Sequence, residues 1–417
     1  MKITDLQIVP VPNAARASAR VEWEDVDRSP MTLWFEVEGE AGAEVRPAGE
    51  AFLLACAIPA FGRGERRIAI EGTVCPRLRD GLSSAVALLG SWYGGRAFDA
   101  IEPSRGFASP GKAPAPRAAF LLSGGVDSLD LLVRNRARFP PSDPASYRDA
   151  VNVSGISYVG PPGSPAVESV VERSRAAAAA MAALAGARFV AIRTNLVELE
   201  PSYAFFERRW YGSAFLSGIH LLSSVTAASI ASGQHAAAGM VPSGSHPSLD
   251  GFFSTGAIEI RHEGADRSRL EKVRGFAHDP ALRHLFVCHS WPEPGAPNCG
   301  RCEKCLRTLA EILVCGGIDA ADSFPRGTLT AEAVSRSELR IDSAVFWGDL
   351  VAPLREAGRE DLSREAARIA SAAQRRTAWL FGGGWRGVLR RLDERLLDGR
   401  GLALGRRVAR RRPGGAS

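Results

Sequence analysis

The residues of this chain with the plainest chemical meaning are Ser123-Gly124-Gly125-Val126-Asp127-Ser128. Ala118-Ala119-Phe120-Leu121-Leu122 before them has the unbroken apolar texture of a buried parallel strand, and Leu129, Leu131 and Leu132 after them open a helix. Two glycines let backbone N–H groups approach a polyphosphate, and the helix N-terminus beyond favours negative charge. Ser123 and Ser128 add hydroxyl donors. Asp127 would repel phosphate by itself, so a carboxylate here makes sense as a ligand for a Mg²⁺ that bridges phosphate oxygens. The lysine-bearing loop G-x-x-x-x-G-K-[ST] does not occur in the chain, which excludes the P-loop NTPase reading. The plain alternative is a Gly-Gly turn that binds nothing.

A second cluster is Cys288, then Cys299-Gly300-Arg301-Cys302-Glu303-Lys304-Cys305, spaced C-x10-C-x2-C-x2-C. Four thiolates at about 2.3 Å satisfy a tetrahedral Zn²⁺ and leave no position open for chemistry, so this reads as a structural metal site. An iron–sulfur cluster takes the same ligands. Pro242 to Asp250 is dense in polar and turn residues, and its His246 and Asp250 are candidates to bind substrate or metal, or simply to cap a turn.

The elements that must position these residues follow a β-α-β rhythm. After the loop's own strand come a strand over 150–159, an Ala-rich helix over 166–184 and a strand over 187–194. A helix over 213–232 and a fourth strand over 236–241 are expected next, then a strand at 257–260. This pattern predicts a doubly wound parallel sheet that binds ligands at the carboxyl ends of its strands. Residues 1–103 read as a small α+β domain, with strands near 3–9, 19–23, 32–37 and 67–70 and helices over 51–61 and 77–93. Residues 104–116 form a Pro/Gly/Ser-rich linker, 117–316 the catalytic domain, and 317–417 a helical extension, with helices over 361–373 and 385–397.

Composition narrows the classes. The 417 residues are 45% hydrophobic and 24% charged, as in a globular protein, and the formal charge is +6. Of 52 basic residues only four are lysine: Lys2, Lys112, Lys272 and Lys304. The N-terminus lacks the apolar run of a secretory signal, and the most apolar window, 212–231, is interrupted by His220 and several Ser and Thr, so no membrane span is expected. Clustered rather than dispersed cysteines fit a metal site in a reducing compartment, and the expected location is the cytoplasm. Ten arginines between Arg386 and Arg412 read as a solvated basic tail, with contact to RNA or an acidic partner the less favoured reading.

Ser123–Ser128 resembles the signature of the PP-loop ATP pyrophosphatases, which share an adenine-nucleotide α-hydrolase fold and split ATP into AMP and pyrophosphate. With the cysteines followed by Leu306-Arg307, the resemblance narrows to the 7-cyano-7-deazaguanine synthase family over about residues 117–315. It implies an ATP site at Ser123 to Ser128 with Mg²⁺, a zinc site at Cys288, Cys299, Cys302 and Cys305, and a ligase that activates a carboxylate or amide-type oxygen for attack by ammonia or an amine. That family's Thr-Lys-x-Glu-Ile pattern is matched by Ser268-Arg269-Leu270-Glu271-Lys272, which places its basic residue on Arg269 as a catalytic phosphate partner beside Asp127. The regions after the second and fourth strands depart from the family, so the acceptor stays open. No glutaminase nucleophile is present: position 2 is Lys, and neither Cys56 nor Cys75 lies in a nucleophile turn. The rival readings are a tRNA-modifying PP-loop enzyme and a non-catalytic, zinc-stabilised ATP-binding module.

Overall fold

The structure is a computed structural model that describes residues 1–95, 100–109, 111, 115–156, 163–288, 297–337 and 344–381, with 388 and 393. Two compact units result, Met1–Leu329 and Thr330–Ser417.

In the first unit the strands are β1 (Lys2–Val11), β2 (Ala14–Glu22), β3 (Met31–Glu38), β4 (Arg67–Ile70), β5 (Ala100–Pro103), β6 (Arg117–Leu121), β7 (Tyr147–Ser154), β8 (Arg188–Thr194), β9 (Val225–Ala231) and β10 (Glu259–Glu263). The helices are α1 (Gly49–Arg63), α2 (Pro76–Tyr93), α3 (Val126–Arg138), α4 (Pro165–Leu184), α5 (Leu196–Leu199), α6 (Tyr203–Phe205), α7 (Tyr211–Ser217), α8 (Arg269–Phe276) and α9 (Glu303–Val314). The second unit contains α10 (Ala331–Arg336), α11 (Ala344–Asp349), α12 (Val351–Glu356) and α13 (Glu360–Phe381).

Among the described residues, the ten strands form a single sheet in the order β10-β9-β6-β7-β8-β3-β2-β1-β4-β5. From β10 to β8 every pairing is parallel. The sheet is nevertheless mixed rather than wholly parallel, because β8 pairs antiparallel with β3, β3 with β2 and β2 with β1. Residues 1–103 keep the α+β texture read from sequence, yet they extend the sheet that carries Ser123–Ser128. Side chains complete the seam: Asn195 Oδ1 accepts from Trp34 N at 2.9 Å, and Thr194 Oγ1 donates to Trp34 O at 2.8 Å. On one face, buried Glu200 takes the Arg63 guanidinium in a fork at 2.6 and 2.7 Å, and Trp210 Nε1 donates to Ala55 O at 2.9 Å. The second unit starts at Thr330, past the expected boundary at 316/317, because Ala321 and Phe324 are still buried in the core beside α9.

Adjacent residues of the central strands bury to opposite sides. Ala119, Ala228 and Ile260 join one hydrophobic cluster with α1 and α2, while Ala118, Phe120 and Ala150 join another that holds Val273, Phe276, Leu309 and Ile312. The sheet is thus covered on both faces, as parallel strands require.

The fourth strand of the β-α-β series lies at Val225–Ala231, not at 236–241, where Ala236–Ala238 makes only a 3₁₀ turn. The expected helix over 213–232 stops correspondingly at Ser217, with a 3₁₀ turn to Leu221. Val225, Thr226 and Ile230 are β-branched, and the segment runs between β6 and β10, where both flanking ladders satisfy its backbone. The end of the expected second strand (157–159), the helix over 385–397 and the arginine-rich tail lie outside the described residues, apart from single positions.

Candidate functional site

The series β6, β7, β8 steps to one side of β6, and the chain then returns to place β9 on its other side. The carboxyl ends of β6 and β9 therefore flank the point where strand order reverses, the position at which open α/β sheets form a binding crevice. Ser123–Ser128 follows β6 there, and Ser232 follows β9.

The loop is held from behind. Leu122 N donates to Val151 O and Asn152 Nδ2 to Leu122 O, both at 2.8 Å. Gly124 adopts φ +80°, a conformation that favours glycine, and a Cβ there would press on that of Ala177 at 3.3 Å. Phe286 N donates to Gly124 O at 2.9 Å. Gly125 is the N-cap of α3, and no side chain caps the helix. Ser123 Oγ accepts from Gly125 N at 3.3 Å and lies 3.2 Å from Ser128 Oγ. The start of a 13-residue helix thus faces the crevice with backbone donors suited to an anion.

Asp127 lies among cations. Lys272 Nζ donates to its Oδ1 at 2.8 Å and also to Ser232 O, tying the ends of β6 and β9 together, while Arg269 stands 3.9 Å from Oδ2. Burial works to raise the Asp127 carboxyl, but the charges of Lys272 and Arg269 prevail and hold it below the usual carboxylate range. Arg269 itself is engaged by α9: its Nε meets Glu311 at 3.0 and 3.1 Å and an Nη reaches Thr308 Oγ1 at 3.0 Å. The direct ammonium partner of Asp127 is therefore Lys272. The Ser268-x-x-Glu271 part of the same pattern is a capping box that starts α8 and so fixes the positions of Arg269 and Lys272.

α9 links this crevice to the cysteines. Lys304, Arg307, Thr308 and Glu311 recur at helical spacing on one face, the last three buried; Cys305, Leu309 and Ile312 recur on another and join the hydrophobic core. Lys304 bears on Asp127 by its charge; burial and the nearby Arg269 and Arg307 push its own pKa down to about 8. Arg307 pairs with Glu303 at 2.8 Å and Glu311 at 3.5 Å.

The ligand atoms of Cys288, Cys299, Cys302 and Cys305 all lie within 4.8 Å of one another, and these cysteines could bind a zinc-like metal ion. Cys299 Sγ and Cys305 Sγ are 3.9 Å apart, close to the roughly 3.8 Å edge of a tetrahedron with 2.3 Å metal–sulfur bonds. Asn298 braces the site: its Oδ1 accepts from the amides of Val287 and Cys288, and its Nδ2 donates to Leu285 O and Ser323 O. Gly300 turns the knuckle at φ +66°, where a Cβ would meet Thr328 Oγ1 at 2.7 Å. Among the described residues no other group of three or more His, Cys, Asp or Glu is close enough to hold an ion.

His246 and Asp250 share one turn, in which Asp250 N donates to His246 O at 3.0 Å. The His246 ring packs edge-on against Trp92 at 5.0 Å and accepts from Ser248 N at 3.1 Å, both structural tasks. Asp250 is fully buried and meets Ser245 Oγ at 2.6 Å and His262 Nδ1 at 2.7 Å. Among the described residues, His262 Nε2 and Asp250 Oδ1 are buried without a hydrogen-bond partner. Burial, then the negative charges of Asp127 and Asp250, push the Tyr211 hydroxyl up to about 12, so this residue lies within the field of both carboxylates.

Sequence reasoning singled out neither Lys272, Lys304 nor His262. The scarcity of lysine was a usable signal for the first two. His262 had none, being paired with Asp250 only through the fold. No protein-family model, curated protein or solved structure matches this chain.

Proposed function

We propose that the chain is an adenylating enzyme of the PP-loop ATP pyrophosphatase type, with the finer architecture of an adenine-nucleotide α-hydrolase. The observation that carries this reading is the position of Ser123–Ser128: an uncapped helix start at the reversal of strand order, with Asp127 and Lys272 converging on it. The β- and γ-phosphates rest on the amides of Gly124 to Asp127. Mg²⁺ fits here through the single Asp127 carboxylate together with phosphate oxygens that the nucleotide brings, its usual mode of binding. When bound it supplies charge neutralisation between those oxygens.

A carboxylate or amide-type oxygen of the acceptor attacks the α-phosphorus. The bond from that phosphorus to the α,β-bridging oxygen breaks, and pyrophosphate departs with the electron pair along the loop. Ammonia or an amine then attacks the activated carbon, AMP leaves, and the nitrogen gives up a proton. Lys272 and Arg269 meet the developing negative charge, each such preorganised contact being worth about 10²–10³-fold in rate. Zinc at the four cysteines fits as a structural ion, since a full set of thiolates leaves no place for water. Phosphorus NMR of ATP turned over with Mg²⁺, ammonium and a panel of carboxylic acids tests the proposal. AMP and pyrophosphate are expected; ADP and phosphate as the products would refute it.

A further inference from the structure

The face of α3 that carries Asp127 also carries Asp130 and Arg134, spaced i, i+3 and i+7. Residues 266–272 run alongside and set an opposite charge against each of the three, in reverse order. Lys272 meets Asp127 at 2.8 Å, Arg267 meets Asp130 at 2.5 Å, and Asp266 takes both Nη atoms of Arg134 at 3.1 and 3.2 Å. The outermost pair is largely exposed and holds little. The middle pair differs: the Asp130 side chain is 2% exposed and its carboxylate depends on Arg267, with Arg134 standing 4.0 Å away.

Arg267 does more than neutralise Asp130. Its other terminal nitrogen donates to the carbonyl of Glu271, the peptide that leads directly into Lys272. One planar guanidinium therefore ties α3 to the first turn of α8, a task that suits the fork of arginine. α8 leaves room for it at Gly275. A Cβ there would stand 2.9 Å from Arg267 Nη2, 3.1 Å from Nη1 and 3.3 Å from Asp130 Oδ1. Gly275 is helical and does not adopt positive φ, so its backbone suits other residues, and space for the guanidinium is what a side chain would take away. The Lys272 ammonium hangs on a flexible four-carbon stem, so where it lies follows from where this turn of α8 is held.

We propose that Arg267 and Asp130 are positioning residues: by tying Glu271 to α3 they hold the Lys272 ammonium on Asp127, where it meets a phosphate oxygen of ATP. The phosphate role rests on the reading of Ser123–Ser128 as an ATP site; the hold on Lys272 stands on the contacts alone.

Lys272 is one of four lysines in the chain, so acetylation of each by acetic anhydride can be followed on the full chain by mass spectrometry. Gly275→Ala is the sharper variant, since alanine favours a helix and the group it displaces is the free end of a long side chain; Arg267→Gln removes the fork outright but strands Asp130. In both, Lys272 is expected to react on the order of 10-fold faster than in the wild type, while Lys2 keeps its rate and Gly275→Ala its melting temperature. Calorimetry with a non-hydrolysable ATP analogue and Mg²⁺ reads the consequence. Gly275→Ala should bind it about 5–10-fold more weakly, yet add less than about twofold in a Lys272→Met background, because both changes act through one group. Unchanged Lys272 labelling or analogue affinity in Gly275→Ala, or losses that simply multiply, overturn the proposal. Failure of the wild type to bind the analogue rejects the ATP site and the phosphate role with it, and the labelling then decides the hold on Lys272 by itself.

Discussion

The Ser123–Ser128 loop and the cysteine knuckle solve opposite problems. Ser123–Ser128 is contiguous and works through its backbone: one glycine at positive φ and an uncapped helix start present N–H groups to the crevice. The knuckle works through side chains, draws Cys288 from a separate stretch, and needs Asn298 to hold the two stretches in register. A contiguous motif announces its chemistry but not its partners. The ammonium on Asp127 comes from 145 residues further along the chain, and α9, which begins inside the knuckle, supplies the groups that hold Arg269. One helix, α9, thus joins the knuckle to the contacts of Arg269.

The largest effect expected from breaking this arrangement is at Asp127. Asp127→Asn keeps shape and removes charge, and turnover should fall by at least about 10²–10³-fold, with a lower melting temperature as well because buried Lys272 loses its carboxylate partner. Steady-state kinetics beside thermal unfolding would check both halves. A loss below threefold would mean that the loop binds without directing chemistry.

Next come the two cations. Lys272→Met should lower turnover by on the order of 10²-fold. Arg269→Ala should lose a similar factor and in addition destabilise the fold, because it takes from buried Glu311 the closer of its two cations and leaves only Arg307 at 3.5 Å. Arg269→Lys restores charge without the fork and should recover activity only in part. Small and equal losses for both Arg269 variants would reduce that residue to a structural brace.

Cys299→Ser sharpens the contrast from the other side. Bound zinc should fall from about one per chain, and the melting temperature by on the order of 5 °C, in step with activity. Metal analysis of protein purified without oxygen would check this. Iron and sulfide in place of zinc, or lost activity in a fully stable variant, would contradict a structural metal.

The smallest effect on the site is expected at His220, which belongs to neither region. Burial, then the charge of Arg46, push its ring down to about 4 from 6.5. A folded value below the unfolded one means that its contribution is whole above pH 6.5 and is lost as pH falls toward 4, amounting to about 3 kcal/mol. Denaturant unfolding across that range should show the loss in the wild type and a flatter profile in His220→Gln, with turnover at pH 7.5 unaltered. An identical profile in the variant would remove His220 as the cause.

Most of the fold's elements were legible because their signals are local. Arg67–Ile70 as a strand, α4 as an Ala-rich helix and the strand, turn and helix around Ser123–Ser128 all lie where composition and periodicity place them. What failed was non-local. The Ala- and Ser-rich run at 225–231 resembles a helix in composition and becomes a strand because ladders on both sides complete it. The N-terminal strands looked like a separate domain because nothing in β3 reveals that its partner is β8. Within the site, the cysteines and the loop were visible as patterns. The pairs Lys272 with Asp127 and His262 with Asp250 exist only after the sheet has formed.

The central claim is that the loop after β6 holds the phosphates of ATP. A crystal structure of the full chain grown with α,β-methylene ATP and Mg²⁺ tests it most directly. The β- and γ-phosphates should lie within hydrogen-bond distance of the Gly124 to Asp127 amides, with Lys272 turned from Asp127 to a phosphate oxygen and the metal on Asp127. Nucleotide bound elsewhere, or an empty loop at saturating ligand, would contradict the account.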